Sequence, residues 1–101
     1  MDFDGFDWDI GNRGKCKKHG VSVAEIEDLF ERHVLIAPDP SHSATEVRFK
    51  AIGKTRLGRS VLLAFTVRRS GADILVRPIS ARYMHRKEVD YFEKAAAKPQ
   101  N

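Results

Sequence analysis

Cysteine is nearly missing: Cys16 is the only one in 101 residues, which excludes an intrachain disulfide and any metal cluster built on several thiolates. No apolar run approaches the roughly 20 residues of a membrane span. Residues 1–9 hold Asp2, Asp4, Asp7 and Asp9 where a signal peptide would carry a basic region and an apolar core. His33 and His42 stand apart from His19 and His85, and no H-x-x-x-H or carboxylate pair gives metal-ligand spacing. Gly53-Lys54 and Gly58-Arg59 lack the spacing of a phosphate-cradling loop, so no nucleotide cofactor is expected. With 42% hydrophobic and 32% charged residues, the composition is that of an ordinary globular protein. The expectation is a cytoplasmic protein without cofactor or membrane contact, forming one domain over residues 1–101 around one modest core.

Acidic residues are also scarce in one long stretch. Residues 48–87 carry eight arginines and three lysines against Asp73 alone, a balance of +10 inside a chain whose net charge is +4. Such segregation suits a polyanion. Arginine outnumbers lysine there, and its planar fork contacts phosphate bidentately and stacks on bases, which fits a shaped nucleic-acid site better than a diffuse membrane-attracting patch. The plainer alternative is a solvated basic face without function.

Periodicity gives an α+β order. Phe3, Phe6 and Trp8 suggest a short strand over 3–8, and residues 13–19 a short, basic, largely exposed helix ended by Gly20. Ser22 and Glu25 form a capping-box pattern, with Val21 and Ile26 as its hydrophobic staple, so a helix is expected over 23–32 with Val23, Ile26, Leu29 and Phe30 facing the core. Residues 38–43 read as a turn-rich loop. The period then changes: 46–51 alternates as a half-buried strand, 53–58 reads as a basic hairpin loop, 60–67 as an apolar central strand, and 74–79 as a further strand. Pro78 cannot donate to a ladder, so that strand is either at an edge or leaves the sheet there. Val89, Phe92 and Ala96 predict a helix from about 85, ended by Pro99 and packed on an antiparallel meander sheet.

The chemistry concentrates at the last strand-to-helix junction, Arg77-Pro78-Ile79-Ser80-Ala81-Arg82-Tyr83-Met84-His85-Arg86-Lys87-Glu88. Metal-free cleavage of RNA by its own 2′-hydroxyl needs a group to take that proton, a donor for the leaving 5′-oxygen, and positive charge on the phosphorane. Arg82 is the first electrostatic candidate, with Arg48, Arg59, Arg68 and Arg77 as companions for RNA and Arg86 beside them. His85 is a candidate base or acid, or simply a helix cap; Glu88 is a general base, a group orienting His85, or the N3 partner of a capping box. Arg48 alternates away from Val47 and Phe49 and so faces opposite to them. Arg77 shares parity with Leu75 and Ile79 and is either held in a salt bridge or turned by a bulge at Pro78. Tyr83 and Tyr91 are candidates for stacking on a base.

In this layout the sequence resembles the BrnT family, small bacterial ribonuclease toxins of type II toxin–antitoxin systems with a RelE-like fold. The carriers are Phe6-Asp7-Trp8-Asp9, Lys18-His19-Gly20-Val21-Ser22 with Glu25, Glu46 and Arg48, Gly58-Arg59, Thr66 with Arg68, and Ile79-Ser80-Ala81-Arg82 followed by Glu88 and Tyr91. Two positions depart from the family pattern: Lys15 stands where many members have asparagine, and His85 where many cap the last helix with threonine or serine. The resemblance implies a metal-independent endoribonuclease that inhibits translation, with functional roles for Lys18 and His19. It also implies neutralisation by a BrnA-type ribbon-helix-helix antitoxin, through which alone the protein would meet DNA. The competing reading is a non-catalytic nucleic-acid-binding module or co-repressor, in which the same arginines bind phosphate and no bond is cut.

Overall fold

Two reciprocal capping boxes start the N-terminal helices. A two-residue strand, β1 (Gly5–Phe6), leads into α1 (Ile10–Lys17). The Asp9 carboxylate accepts the Asn12 N–H at 2.8 Å, and Asn12 Oδ1 accepts the Asp9 N–H at 2.7 Å. The helix therefore begins earlier than the basic segment alone suggests. As expected it is mostly exposed, burying only Asn12 and Cys16, and Gly20 turns the chain after it at φ +85°. In α2 (Val23–Glu31) the sequence signal is met in full: Ser22 Oγ accepts from the Glu25 N–H, and Glu25 accepts from the Ser22 N–H. Val21 and Ile26 are both fully buried, as a staple requires.

The computed structural model describes residues 2–40 and 46–97, with side chains of the last helix described through Lys94. Ser41 to Ser43 of the expected turn-rich loop, and Pro99, lie outside the described residues, as does the side chain of Ala96. Four strands follow α2: β2 (Val34–Pro38), β3 (Arg48–Lys54), β4 (Ser60–Ser70) and β5 (Asp73–Tyr83), before α3 (Arg86–Ala97). The sheet order is β1-β5-β4-β3-β2.

β3 to β5 form the expected antiparallel meander, β2 extends it and β4 is central in the sheet, but the sheet as a whole is mixed, because β1 lies parallel against Leu75 and Val76 of β5. β2 had no counterpart in the sequence reading, since Val34-Leu35-Ile36 is too short an apolar run to display alternation. β3 continues through Gly53 and Lys54, shortening the expected loop; a Cβ on Gly53 would stand 3.2 Å from Leu29, so the bare glycine lets α2 sit close to the strand. Pro78 does not end β5; β1 pairs only as far as Val76, so β5 is an open edge at Pro78, the first of the two expected alternatives. Ala64 faces Ser80 while Phe65 faces Pro78, so Ile79 is the extra residue of a bulge, and the missing N–H falls where the ladder is already interrupted.

One sheet face carries the core. Ala51, Val61, Leu63, Phe65, Val76 and Ala81 are buried with Cys16, Val21, Ile26 and Leu29 from the helices. Phe65 packs against Phe3 and Phe30 edge-to-face and stacks on Phe49; emptying such a site typically costs about 3–5 kcal/mol. Strand alternation sends Arg48, Lys50, Ile52, Leu62, Ala64, Ser80 and Arg82 to the other face. There Val89 and Phe92 of α3 meet Leu35, Ile52 and Met84 around an open apolar groove of about 360 Å³, so this helix faces the sheet without closing over it.

Candidate active site

The β5–α3 junction is built around one carboxylate. Met84 N–H donates to the Ser60 carbonyl at 2.9 Å and pins the turn, and the His85 carbonyl accepts the Val89 N–H at 3.1 Å, which makes His85 the cap of α3. Glu88 Oε1 accepts the His85 N–H at 2.9 Å, the reach-back of a capping box. The same carboxylate takes Arg82 in a bidentate grip, Nη1 to Oε1 at 2.7 Å and Nη2 to Oε2 at 2.8 Å. The Arg82 hydrogen bond first, and the His85 N–H second, push the Glu88 carboxyl down to about 2. Glu88 is thus ionised at neutral pH and a weak proton acceptor. Glu88 in turn raises the Arg82 pKa, which leaves a fixed, oriented positive charge.

Beside Arg82 the outer face dips into a pocket of about 110 Å³ lined by His19, Lys50, Leu62, Ala64, Ser80 and Arg82. That is the liquid volume of roughly four waters, enough for one phosphate group. Its residues come from three directions. Lys50 arrives from β3 and Ser80 and Arg82 from β5, while Leu62 and Ala64 of β4 form the floor. β1 pairs only with Leu75 and Val76, so the later half of β5 has no strand beside it; α1 packs along that edge, and the chain leaving α1 brings His19 to the pocket. An imidazole, an ammonium, a hydroxyl and a guanidinium therefore surround a floor of aliphatic side chains. Lys50 Nζ stands 4.0 Å from Asp39 Oδ1, a long contact that leaves it room to swing inward.

The other sequence candidates lie elsewhere. Arg77 is ion-paired with Asp7 at 3.2 Å and Asp9 at 2.6 Å. Arg59 stacks over the Tyr83 ring at 3.5 Å, and the Tyr83 hydroxyl donates to Glu25, so that aromatic face is occupied. Arg59 and Arg86 border a separate depression with Tyr83 and Glu93. Arg68 pairs with Glu46 at 3.3 Å, and Arg48 sits opposite Thr66. Lys18 is the exposed C-cap of α1, and Tyr91 is 74% exposed. Of the proposed catalytic set the pocket gathers His19 and Arg82, with Glu88 behind Arg82 and His85 outside it. Lys50 and Ser80 were not among the sequence candidates, although Lys50 alternates with Arg48 and Ser80 with Arg82 on the same strands. Cys16 is buried, and burial raises its thiol to about 11, so it stays protonated and unreactive at neutral pH. Among the described residues no group of three or more His, Cys, Asp or Glu is placed to hold a metal ion, and no helix is long and apolar enough to cross a membrane.

The pocket, its floor and the Glu88 clamp all fall within residues 8–88. That span is matched by a family model described as "Ribonuclease toxin, BrnT, of type II toxin-antitoxin system". No curated protein matches the chain.

Proposed function

Because the chain belongs to the BrnT family of type II toxin–antitoxin ribonuclease toxins, we propose that the His19–Lys50–Ser80–Arg82 pocket is where it cleaves RNA, without a metal, by attack of the 2′-hydroxyl on the adjacent phosphate. The observation that carries this reading is the convergence of a fixed guanidinium with an imidazole in a phosphate-sized pocket on a face rich in arginine and lysine. Arg82 supplies charge to the phosphorane, as a preorganised donor that needs no reorganisation during reaction. His19 takes the 2′-hydroxyl proton, the 2′-oxygen bonds to phosphorus, and the bond to the 5′-oxygen breaks; the products are a 2′,3′-cyclic phosphate and a 5′-hydroxyl. Glu88 acts on Arg82, and His85 serves as the helix cap.

On the same reading the fold is RelE-like, the protein is cytoplasmic, and the outcome of cleavage is inhibited translation. Family membership implies an antitoxin partner; a BrnA-type ribbon-helix-helix protein that brings carboxylates across the basic face and the β5–α3 junction would mask the arginines and compete with RNA. The deciding experiment is incubation of the purified protein with single-stranded RNA in EDTA. Cleavage undiminished by chelation, with cyclic-phosphate ends, is expected. Loss of cleavage restored by a divalent ion, or products ending in 3′-hydroxyl, would overturn the mechanism, and binding without product would favour the non-catalytic module.

A further inference from the structure

Transesterification needs a second proton transfer, to the departing 5′-oxygen, and the groups of the pocket differ in their fitness for it. Arg82 does not release a proton, and the Glu88 carboxylate that orients it holds that proton the more firmly. Glu88, held at about 2, carries no proton to give. Ser80 is a neutral hydroxyl on an exposed strand position. His85 does not line the pocket. His19 is engaged at the other end of the reaction. The remaining proton carrier is the Lys50 ammonium, and we infer that Lys50 is the general acid.

This inference rests on the pocket being the cleavage site, and the sheet register supports it independently of elimination. Lys50 faces Ala64, and Ala64 faces Ser80, so the three form one row across β3, β4 and β5. Ala64 is the shortest side chain of that row, and over it the flexible stem of Lys50 can reach the centre. Two strand spacings separate β3 from β5, roughly 10 Å, and His19 reaches the pocket from beyond the β5 edge. Base and acid therefore approach a phosphate from opposite sides, as an in-line displacement requires. In the step assigned to Lys50, the P–O5′ bond breaks with its electron pair on oxygen, Nζ gives that oxygen a proton, and a neutral amine remains to be reprotonated by water.

The test uses the full chain and one short RNA whose cleaved linkage has been mapped, made with oxygen or with sulfur as the 5′-bridging atom. A thiolate leaves without protonation, so loss of a general acid is silent on the sulfur substrate. Lys50→Ala is expected to slow oxygen-substrate cleavage by about 100-fold or more and to cleave the sulfur substrate nearly as fast as the unaltered protein. Lys50→Arg keeps the charge but cannot give up the proton, so it should show the same split with an unaltered KM. Equal losses on both substrates, or full oxygen cleavage by Lys50→Arg, would overturn the assignment and leave Lys50 as a binding charge. Lys50 is half-exposed but stands 4.0 Å from the buried Asp39 carboxylate, so Lys50→Arg, which keeps a cation there, is the variant that should melt like the parent. An unaltered protein that cuts neither RNA, or an Arg82→Ala variant that cuts both at the parent rate, would instead overturn the reading of the pocket itself.

Discussion

Arg77 and Arg82 lie on the same strand, both are gripped by carboxylates, and their surroundings give them different work. Arg77 holds Asp7 and Asp9, its side chain 25% exposed, and Asp9 is itself the cap of α1. The Asp7 carbonyl accepts from Asn12 of the same helix. Arg77 therefore joins the acidic start of the chain to the middle of β5 and neutralises part of the basic excess of residues 48–87. Arg82 is 38% exposed and holds one carboxylate, from the helix that follows its own strand, while its side of the sheet opens onto His19, Lys50 and Ser80. Guanidinium density alone does not mark a site. What separates the two is the convergence of other proton-bearing groups and a space that a phosphate can fill.

The sharpest break of this comparison is the pair of alanine variants. Arg82→Ala should lower RNA cleavage by roughly 3 to 4 kcal/mol of transition-state stabilisation, a factor of about 10² to 10³. Arg77→Ala should leave cleavage near the parent rate and instead lower stability, by at most about 1 kcal/mol because its ion pairs are partly solvated, or roughly 4–8 °C in Tm for a domain of this size. Steady-state cleavage and thermal melting on both variants check it, and equal activity losses would erase the distinction.

A smaller effect tests the Arg82 clamp by pH. The Glu88 carboxyl is about 2 in the folded protein against 4.5 ordinarily, so its contribution to stability is fully present above pH 4.5 and is lost as pH falls through 2. Glu88→Gln should be less stable than the parent at pH 7, and the gap should close toward pH 2. Denaturant melts at the two pH values measure this; a gap independent of pH would show that the carboxylate charge is not what holds the junction.

Much of the architecture is legible in local chemistry, and what is not depends on distant partners. The Ser22–Glu25 box, the alternation from Val47 onward and the apolar centre of β4 are written in neighbouring residues, and the helix and strands stand where those signals put them. The parallel pairing of β1 and the strand at Val34–Pro38 depend on pairing partners farther along the chain, which local patterns do not contain, whereas the Asp9–Asn12 box is as local as Ser22–Glu25 and differs from it in having asparagine where the usual pattern has Glu or Gln. The candidate site divides in the same way. Arg82 and Glu88 lie close enough in sequence to be read together, whereas Lys50 joins them only through the β3–β4–β5 register, and His19 only because β1 ends early and leaves an edge for α1. Tyr83 shows the reverse: an aromatic ring suited to base stacking in the sequence is already covered by Arg59.

The location of the site is tested most directly by NMR of the labelled protein with an RNA carrying 2′-deoxyribose at the cleaved position, which can bind but has no nucleophile to react. Resonances of His19, Lys50, Ser80 and Arg82 should shift on binding, with those of Asp7, Asp9 and Arg77 unmoved. Shifts centred on Arg77 and the N-terminal aspartates, with the pocket silent, would contradict the account.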